Sequence, residues 1–116
     1  MLYILILSLS IICFFAYDIY KTKNNNAIIT VINKDKISFF YRDDCSDCNK
    51  IFMQIYLHNL FYKDIEYINL TQKENRKYID SYNITNVPTF IYKNTAYVGT
   101  DKNQIKKFLK KGVANE

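Results

Sequence analysis

Residues 2–17 are apolar apart from Ser8 and Ser10. A helix over that run is roughly 24 Å long, slightly under the ~30 Å hydrocarbon core of a bilayer. It predicts a membrane anchor or signal segment over residues 1–20. The flank before it has no Lys or Arg, and Phe14-Phe15-Ala16 is a poor cleavage site. An uncleaved anchor is therefore favoured over a cleaved signal. A buried core helix is the weaker alternative, because nothing on the segment is amphipathic. Tyr3, Tyr17 and Tyr20 flank the run and suit an interfacial belt. The polar stretch 21–26, with three consecutive asparagines, reads as a short linker. A single domain over 27–116 follows.

The domain alternates between strand-like and helix-like periods. Residues 27–33 are ambiguous: Ile28, Ile29, Val31 and Ile32 are stiff at χ1, yet their spacing also fits a short helix. Residues 37–42 read as a buried strand and 46–57 as a helix with Ile51, Phe52 and Ile55 on one face. Residues 65–70 form a second strand. Thr71-Gln72-Lys73-Glu74 has the form of a capping box and predicts a helix start at Thr71. Tyr78, Ile79 and Tyr82 supply its apolar side, and Asn83 is a left-handed stop. A hairpin over 89–92 and 96–98 turns at Lys93-Asn94 and ends at Gly99. A last helix starts at Asp101, carries Ile105, Phe108 and Leu109, and is predicted to end at Gly112. A strand–helix–strand unit of this length requires parallel strands and a right-handed crossover. The predicted fold class is α/β: a four-stranded mixed sheet with helices on both faces, behind an N-terminal transmembrane helix.

Composition narrows this picture only a little. Among 116 residues, 49% are hydrophobic and 16% aromatic, which excludes a disordered chain. The net charge of +5 raises nucleic acid as a partner. The lysines are spread out, however, and Lys106, Lys107, Lys110 and Lys111 suit the end of a helix dipole, so no nucleic-acid partner is expected.

The candidate chemistry lies at Cys45-Ser46-Asp47-Cys48, where a strand hands over to a helix. A helix N-terminus directs N–H groups and partial positive charge at the first sulfur and favours thiolate. Forty residues on, Val87-Pro88-Thr89-Phe90 contains the only proline. A proline opening a strand opposite such a site can hold a cis bond and keep a strand edge free for a substrate. Asp43, Asp44 and Asp47 oppose the thiolate by like charge, and Arg42 partly offsets them. Arg42, Asp44 and Asp47 are thus modulating residues, and a pair that is not strongly oxidising is expected. The same aspartates also serve as helix caps and loop solvation. Cys45, Cys48 and His58 could be zinc ligands. A structural zinc wants four ligands, though, and the chain has one His and no second Cys pair. No metal and no cofactor are expected; His58 reads as a surface or helix-end residue. Cys13 reads as a small hydrophobe in the apolar run.

The strand before Cys45-x-x-Cys48, the segment Tyr82-Asn83-Ile84-Thr85-Asn86-Val87-Pro88-Thr89-Phe90, the Lys93-Asn94 turn and Val98-Gly99 together resemble the thioredoxin-like superfamily over residues 28–111. The resemblance implies that Cys45 is the attacking nucleophile and Cys48 the buried resolving thiol. It further implies that Pro88 is the cis-proline beside them and that the Val87 backbone binds an extended substrate by strand addition. Two features depart from the family. Asp44-Cys45-Ser46-Asp47-Cys48 stands in place of the usual Trp-Cys-Gly-Pro-Cys. Phe39 stands six residues before the first cysteine, where thioredoxins bury an acid. The whole is similar to the small membrane-anchored thioredoxin-like proteins of low-GC Gram-positive bacteria, the bacteriocin transport accessory type included.

The function this implies is a membrane-tethered thiol–disulfide oxidoreductase acting on exported proteins or peptides, with a separate redox partner protein. One alternative is a non-catalytic accessory module that keeps the fold for docking. Another is glutaredoxin-like exchange with glutathione, with Arg42 or Lys50 as the cation. Lys21 and Lys23 after the apolar run would, counted literally, hold the domain in the cytoplasm. Disulfides persist outside, and an extracytoplasmic domain is the reading adopted.

Overall fold

The computed structural model describes residues 1–114. The last two residues of the domain expected over 27–116 lie outside the described residues. In chain order the elements are α1 (Leu2–Lys23), β1 (Ile37–Tyr41), α2 (Ser46–Tyr62), β2 (Ile65–Asn69), a 3-10 turn (Lys73–Arg76), α3 (Lys77–Ser81), β3 (Thr89–Tyr92), β4 (Thr95–Val98) and α4 (Lys102–Ala114). The sheet order is β2-β1-β3-β4. β1 and β2 run parallel, with Ile37 opposite Ile65 and Tyr41 opposite Asn69. β3 is antiparallel to β1 and to β4.

The period-2 alternation of β1 splits the core in two. Ile37, Phe39 and Tyr41 face α2 and α4, joining Ile51, Phe52, Ile55, Phe90, Ile105 and Phe108. Phe40 faces the other way, with Ile68, Leu70 and Tyr78. Phe39 is fully buried, its ring stacked between Tyr41 and Phe90 with both centroids 5.0 Å away. Phe52 and Tyr67 close the cluster from the sides.

Several sequence expectations are corrected. Residues 27–33 form neither strand nor helix. Their backbone is held by side chains instead: Asn75 binds the Ile29 N–H and the Ala27 carbonyl, and Tyr78 donates to the Ile29 carbonyl. Thr71 does not start a helix. Its hydroxyl accepts the Asp43 N–H at 2.8 Å, leaving a 3-10 turn to begin at Lys73. Gly112 does not end α4, which runs through it. A Cβ there would meet Ile37 Cδ1 at 2.9 Å and Asp64 Oδ2 at 3.0 Å, so the glycine permits close helix–sheet approach rather than a turn. His58 is no free surface residue: its Nε2 lies 2.8 Å from Asp64 Oδ1, and Asp64 is buried. A buried carboxylate demands such a partner.

α1 is long and apolar enough to cross a membrane, and none of its apolar stretch is buried by the domain. It projects from a molecule whose longest dimension is 54 Å. Residues 21–26 are not a free linker. The Tyr41 hydroxyl donates to the Lys23 carbonyl (2.7 Å), lies 3.1 Å from the Thr22 carbonyl, and accepts from Asn25 Nδ2 at 2.8 Å. Asn69 Nδ2 donates to the Asn25 carbonyl, and Gln72 to Asn26. Ile19 packs on the core, and Tyr56 donates its hydroxyl to Asp18. Burial pushes the Tyr41 phenol well above its ordinary value, with Asp43 adding to the effect. Burial, then the Asp18 carboxylate, pushes Tyr56 up to about 12. Both phenols therefore remain protonated donors at neutral pH.

Candidate active site

The site is built where β1 ends. After Tyr41 the chain turns through Arg42, Asp43 and Asp44 into Cys45, the N-cap of α2 in extended conformation. Two side chains from the β2 end fix this loop. Thr71 holds the Asp43 N–H, and Asn69 Nδ2 donates to Asp43 Oδ1 at 2.7 Å. From the sequence Thr71 reads as a helix start, and Asn69 is given no role. A polar Asn inside an apolar strand run was the available signal.

Cys45 and Cys48 are paired in a disulfide, with Cα atoms 5.2 Å apart, inside the range such a bond requires. The Cys48 N–H points at Cys45 Sγ, 3.1 Å away. Sulfur therefore occupies the position in which a cap oxygen satisfies a free N–H of the first turn. When the pair is reduced, that N–H and the helix dipole favour the Cys45 thiolate. Cys45 is half-buried, whereas Cys48 is 1% exposed. An external disulfide can reach the first sulfur and not the second.

The segment before β3 faces this sulfur. The Val87 carbonyl oxygen lies 3.8 Å from Cys45 Sγ, and the Val87–Pro88 peptide bond is cis. Pro88 is buried and Val87 half-buried. Pro88 leads directly into β3.

Arg42, Asp44, Asp47 and Lys50 are exposed and paired with one another, while Asp43 is half-buried. Arg42 Nε lies 3.3 Å from Asp44 Oδ1, and Lys50 Nζ lies 3.3 Å from Asp47 Oδ1. Arg42 and Lys50 are thus both engaged by loop carboxylates. Exposed pairs of this kind contribute little, about 0.2–1 kcal/mol. Replacing Asp47 with Asn is accordingly expected to raise the neutral-pH alkylation rate of reduced Cys45 by about two- to fivefold. A rate–pH profile superimposable on that of the unmodified protein would refute an electrostatic role for Asp47.

Phe39 occupies its strand position within the aromatic cluster described above, so no carboxylate is supplied from that position. Among the described residues there is no group of three or more His, Cys, Asp and Glu side chains able to hold a metal.

No protein-family model matches the chain. No curated protein matches it either. Solved structures do. Oxidised thioredoxin from Plasmodium falciparum is 23% identical with a TM-score of 0.53, covering 65% of this chain and 77% of that one. Fasciola hepatica thioredoxin is 17% identical with a TM-score of 0.57, covering 70% and 86%. Thioredoxin 1 from Thermosipho africanus is 25% identical with a TM-score of 0.51, covering 70% and 99%. The chain has the thioredoxin-like α/β fold. With Cys45 and Cys48 at disulfide distance at the start of α2, that fold supports a thiol–disulfide oxidoreductase.

Proposed function

We propose that this protein is a membrane-tethered thiol–disulfide oxidoreductase that exchanges disulfides of exported proteins or peptides. One observation carries the reading: an accessible Cys45 sulfur at the N-cap of α2, joined to a buried Cys48 and facing the Val87 carbonyl at 3.8 Å. In the reductive direction, the Cys45 thiolate attacks one sulfur of a substrate disulfide. The substrate S–S bond breaks, and the released thiolate takes a proton from water. Cys48 then loses its proton and attacks Cys45 Sγ. The second substrate thiol is released, and the Cys45–Cys48 disulfide remains. Two electrons pass from the protein dithiol to the substrate, and a redox partner bearing a dithiol must restore them.

The Val87 backbone, on the strand-like segment entering β3, is the edge on which an extended substrate would lie. Phe39 offers Cys48 no carboxylate as proton acceptor, so resolution of the mixed disulfide is the slow step in this scheme. α1 provides the tether, and disulfide chemistry favours placing the domain outside the cytoplasm. An apolar helix ahead of a thioredoxin-like fold suits the membrane-anchored thioredoxin-like proteins, the bacteriocin transport accessory type among them.

A second reading, a docking module with a slow or structural cysteine pair, draws on the same Phe39. The Cys48→Ser protein separates the two. An exchange enzyme accumulates mixed disulfides through Cys45, seen on non-reducing gels, lost on adding reductant and identified by mass spectrometry. A docking module binds its partner and accumulates none.

A further inference from the structure

The way α1 is clamped bears on which face of the domain meets the membrane. The last turns of α1 lie along the side of the domain. Asp18 meets Tyr56 in the third turn of α2. The carbonyls of Thr22 and Lys23 meet Tyr41, whose ring packs near Phe52, one turn earlier in α2. α1 therefore climbs towards Cys45 as α2 descends from it, and the two run antiparallel. α2 ends at the opposite pole of the sheet, where Asn59 binds the Ile65 N–H.

This geometry constrains how α1 can enter a bilayer. From Tyr56 to Tyr62, α2 continues for about 9 Å beyond the Asp18 contact. Continued as a straight helix from the Asp18 contact, residues 12–17 of α1 cover about the same height. If the bilayer began only past the domain, residues 2–11 would be left to enter it. They make about 15 Å of helix, half of the ~30 Å hydrocarbon core. Inserting the whole apolar run brings the far end of α2 down to the membrane surface.

That end has the chemistry for such a contact. Leu57, Leu60 and Phe61 are spaced i, i+3, i+4, and all are exposed on the side of α2 turned from the core; Phe61 is 82% exposed. An apolar stripe facing water is unexplained by folding and fits an interfacial lipid contact. At the same pole, Lys36, Lys63 and Lys93 line one cleft together with Asp35 and Asp64, a modest cationic excess beside the apolar residues.

We propose that the pole of the domain opposite the cysteines, centred on Phe61 and Leu60, rests in the lipid interface beside α1. Cys45 and Cys48 then point away from the membrane, towards substrates in the aqueous space. The contact rests on α1 being a membrane anchor, as proposed above.

The chain has no Trp, so Phe61→Trp introduces a single probe at an exposed position. Asp44→Trp reports the cysteine pole, where Asp44 is also exposed. Each full-length protein is reconstituted into vesicles of phosphatidylglycerol and phosphatidylcholine, with and without lipids brominated high in the acyl chain. The expected result is blue-shifted emission and loss of most fluorescence to brominated lipid for Phe61→Trp. Asp44→Trp should show neither. If Phe61→Trp floats with the vesicles yet remains unquenched, the contact is wrong and the anchor stands. Stronger quenching of Asp44→Trp overturns the orientation. Failure of either protein to float with vesicles overturns the anchor and the contact together.

Discussion

Replacing Cys45 with serine is expected to reduce disulfide exchange to background, a loss of at least about 10³-fold. Cys45 is the half-exposed sulfur of the pair, while Cys48 is 1% exposed and lies within the core around Ile51, Phe52 and Phe90. A substrate sulfur must come into line with the attacking thiolate, and the buried position of Cys48 forbids that approach. The substitution also leaves the fold largely intact. Serine is a preferred N-cap, and its oxygen can accept the Cys48 N–H that Cys45 Sγ now holds at 3.1 Å. Turnover of a chromogenic aromatic disulfide by the reduced protein is the measurement. A Cys13→Ser background is required, because Cys13 is an exposed free thiol. A urea midpoint close to that of the reduced parent shows that the loss is chemical. Retained exchange would move the nucleophile to Cys48 and remove the basis of the proposed mechanism.

The second large effect is on stability. Phe39→Ala is expected to destabilise the protein by about 3–5 kcal/mol, through lost transfer energy and the cavity left in a close-packed core. Phe39 is fully buried, and its ring has Tyr41, Phe52, Tyr67 and Phe90 as neighbours. Such a loss is a large part of the ~5–15 kcal/mol that holds a typical domain together. Phe39→Leu retains most of the volume and should cost distinctly less. Urea unfolding of both variants, with the disulfide oxidised throughout, measures the difference. A Phe39→Ala midpoint within about 1 kcal/mol of the parent would mean that the aromatic cluster is not the keystone of this face. The same residue links stability to function: a position that could have carried a proton acceptor for Cys48 carries core packing instead.

Much of the fold was legible because its signals are local. Apolar runs bounded by polar breaks give β1, β2 and the β3–β4 hairpin, and the spacing of Ile51, Phe52 and Ile55 gives the buried side of α2. The pairing of the two cysteines was legible for the same reason, Cys-x-x-Cys being a short motif with a mechanism. The structure brings Val87 to Cys45 across 42 residues of sequence. What was missed depends on partners far apart in the chain. Asn25 looks like linker until Tyr41 and Asn69 are beside it. Thr71 looks like a helix cap until Asp43 arrives. His58 looks like a helix end until Asp64 is buried against it. Gly112 looks like a stop until Ile37 is found underneath. In each case a residue with a sound local reading was taken by a tertiary contact, which outweighs local preference. The outward stripe on α2 was hidden differently: Leu60 and Phe61 extend the apolar pattern past Leu57, where the helix was expected to end.

The measurement that bears most directly on a redox role is the reduction potential of the Cys45–Cys48 pair. The full-length Cys13→Ser protein would be equilibrated in detergent against dithiothreitol buffers and the thiols counted by alkylation. The account predicts a reversible two-electron transition on the reducing side, nearer the about −270 mV of thioredoxin than the about −120 mV of a strong disulfide donor. Loop carboxylates that disfavour the thiolate point in that direction. A pair that fails to equilibrate, or that titrates near the donor value, would contradict it.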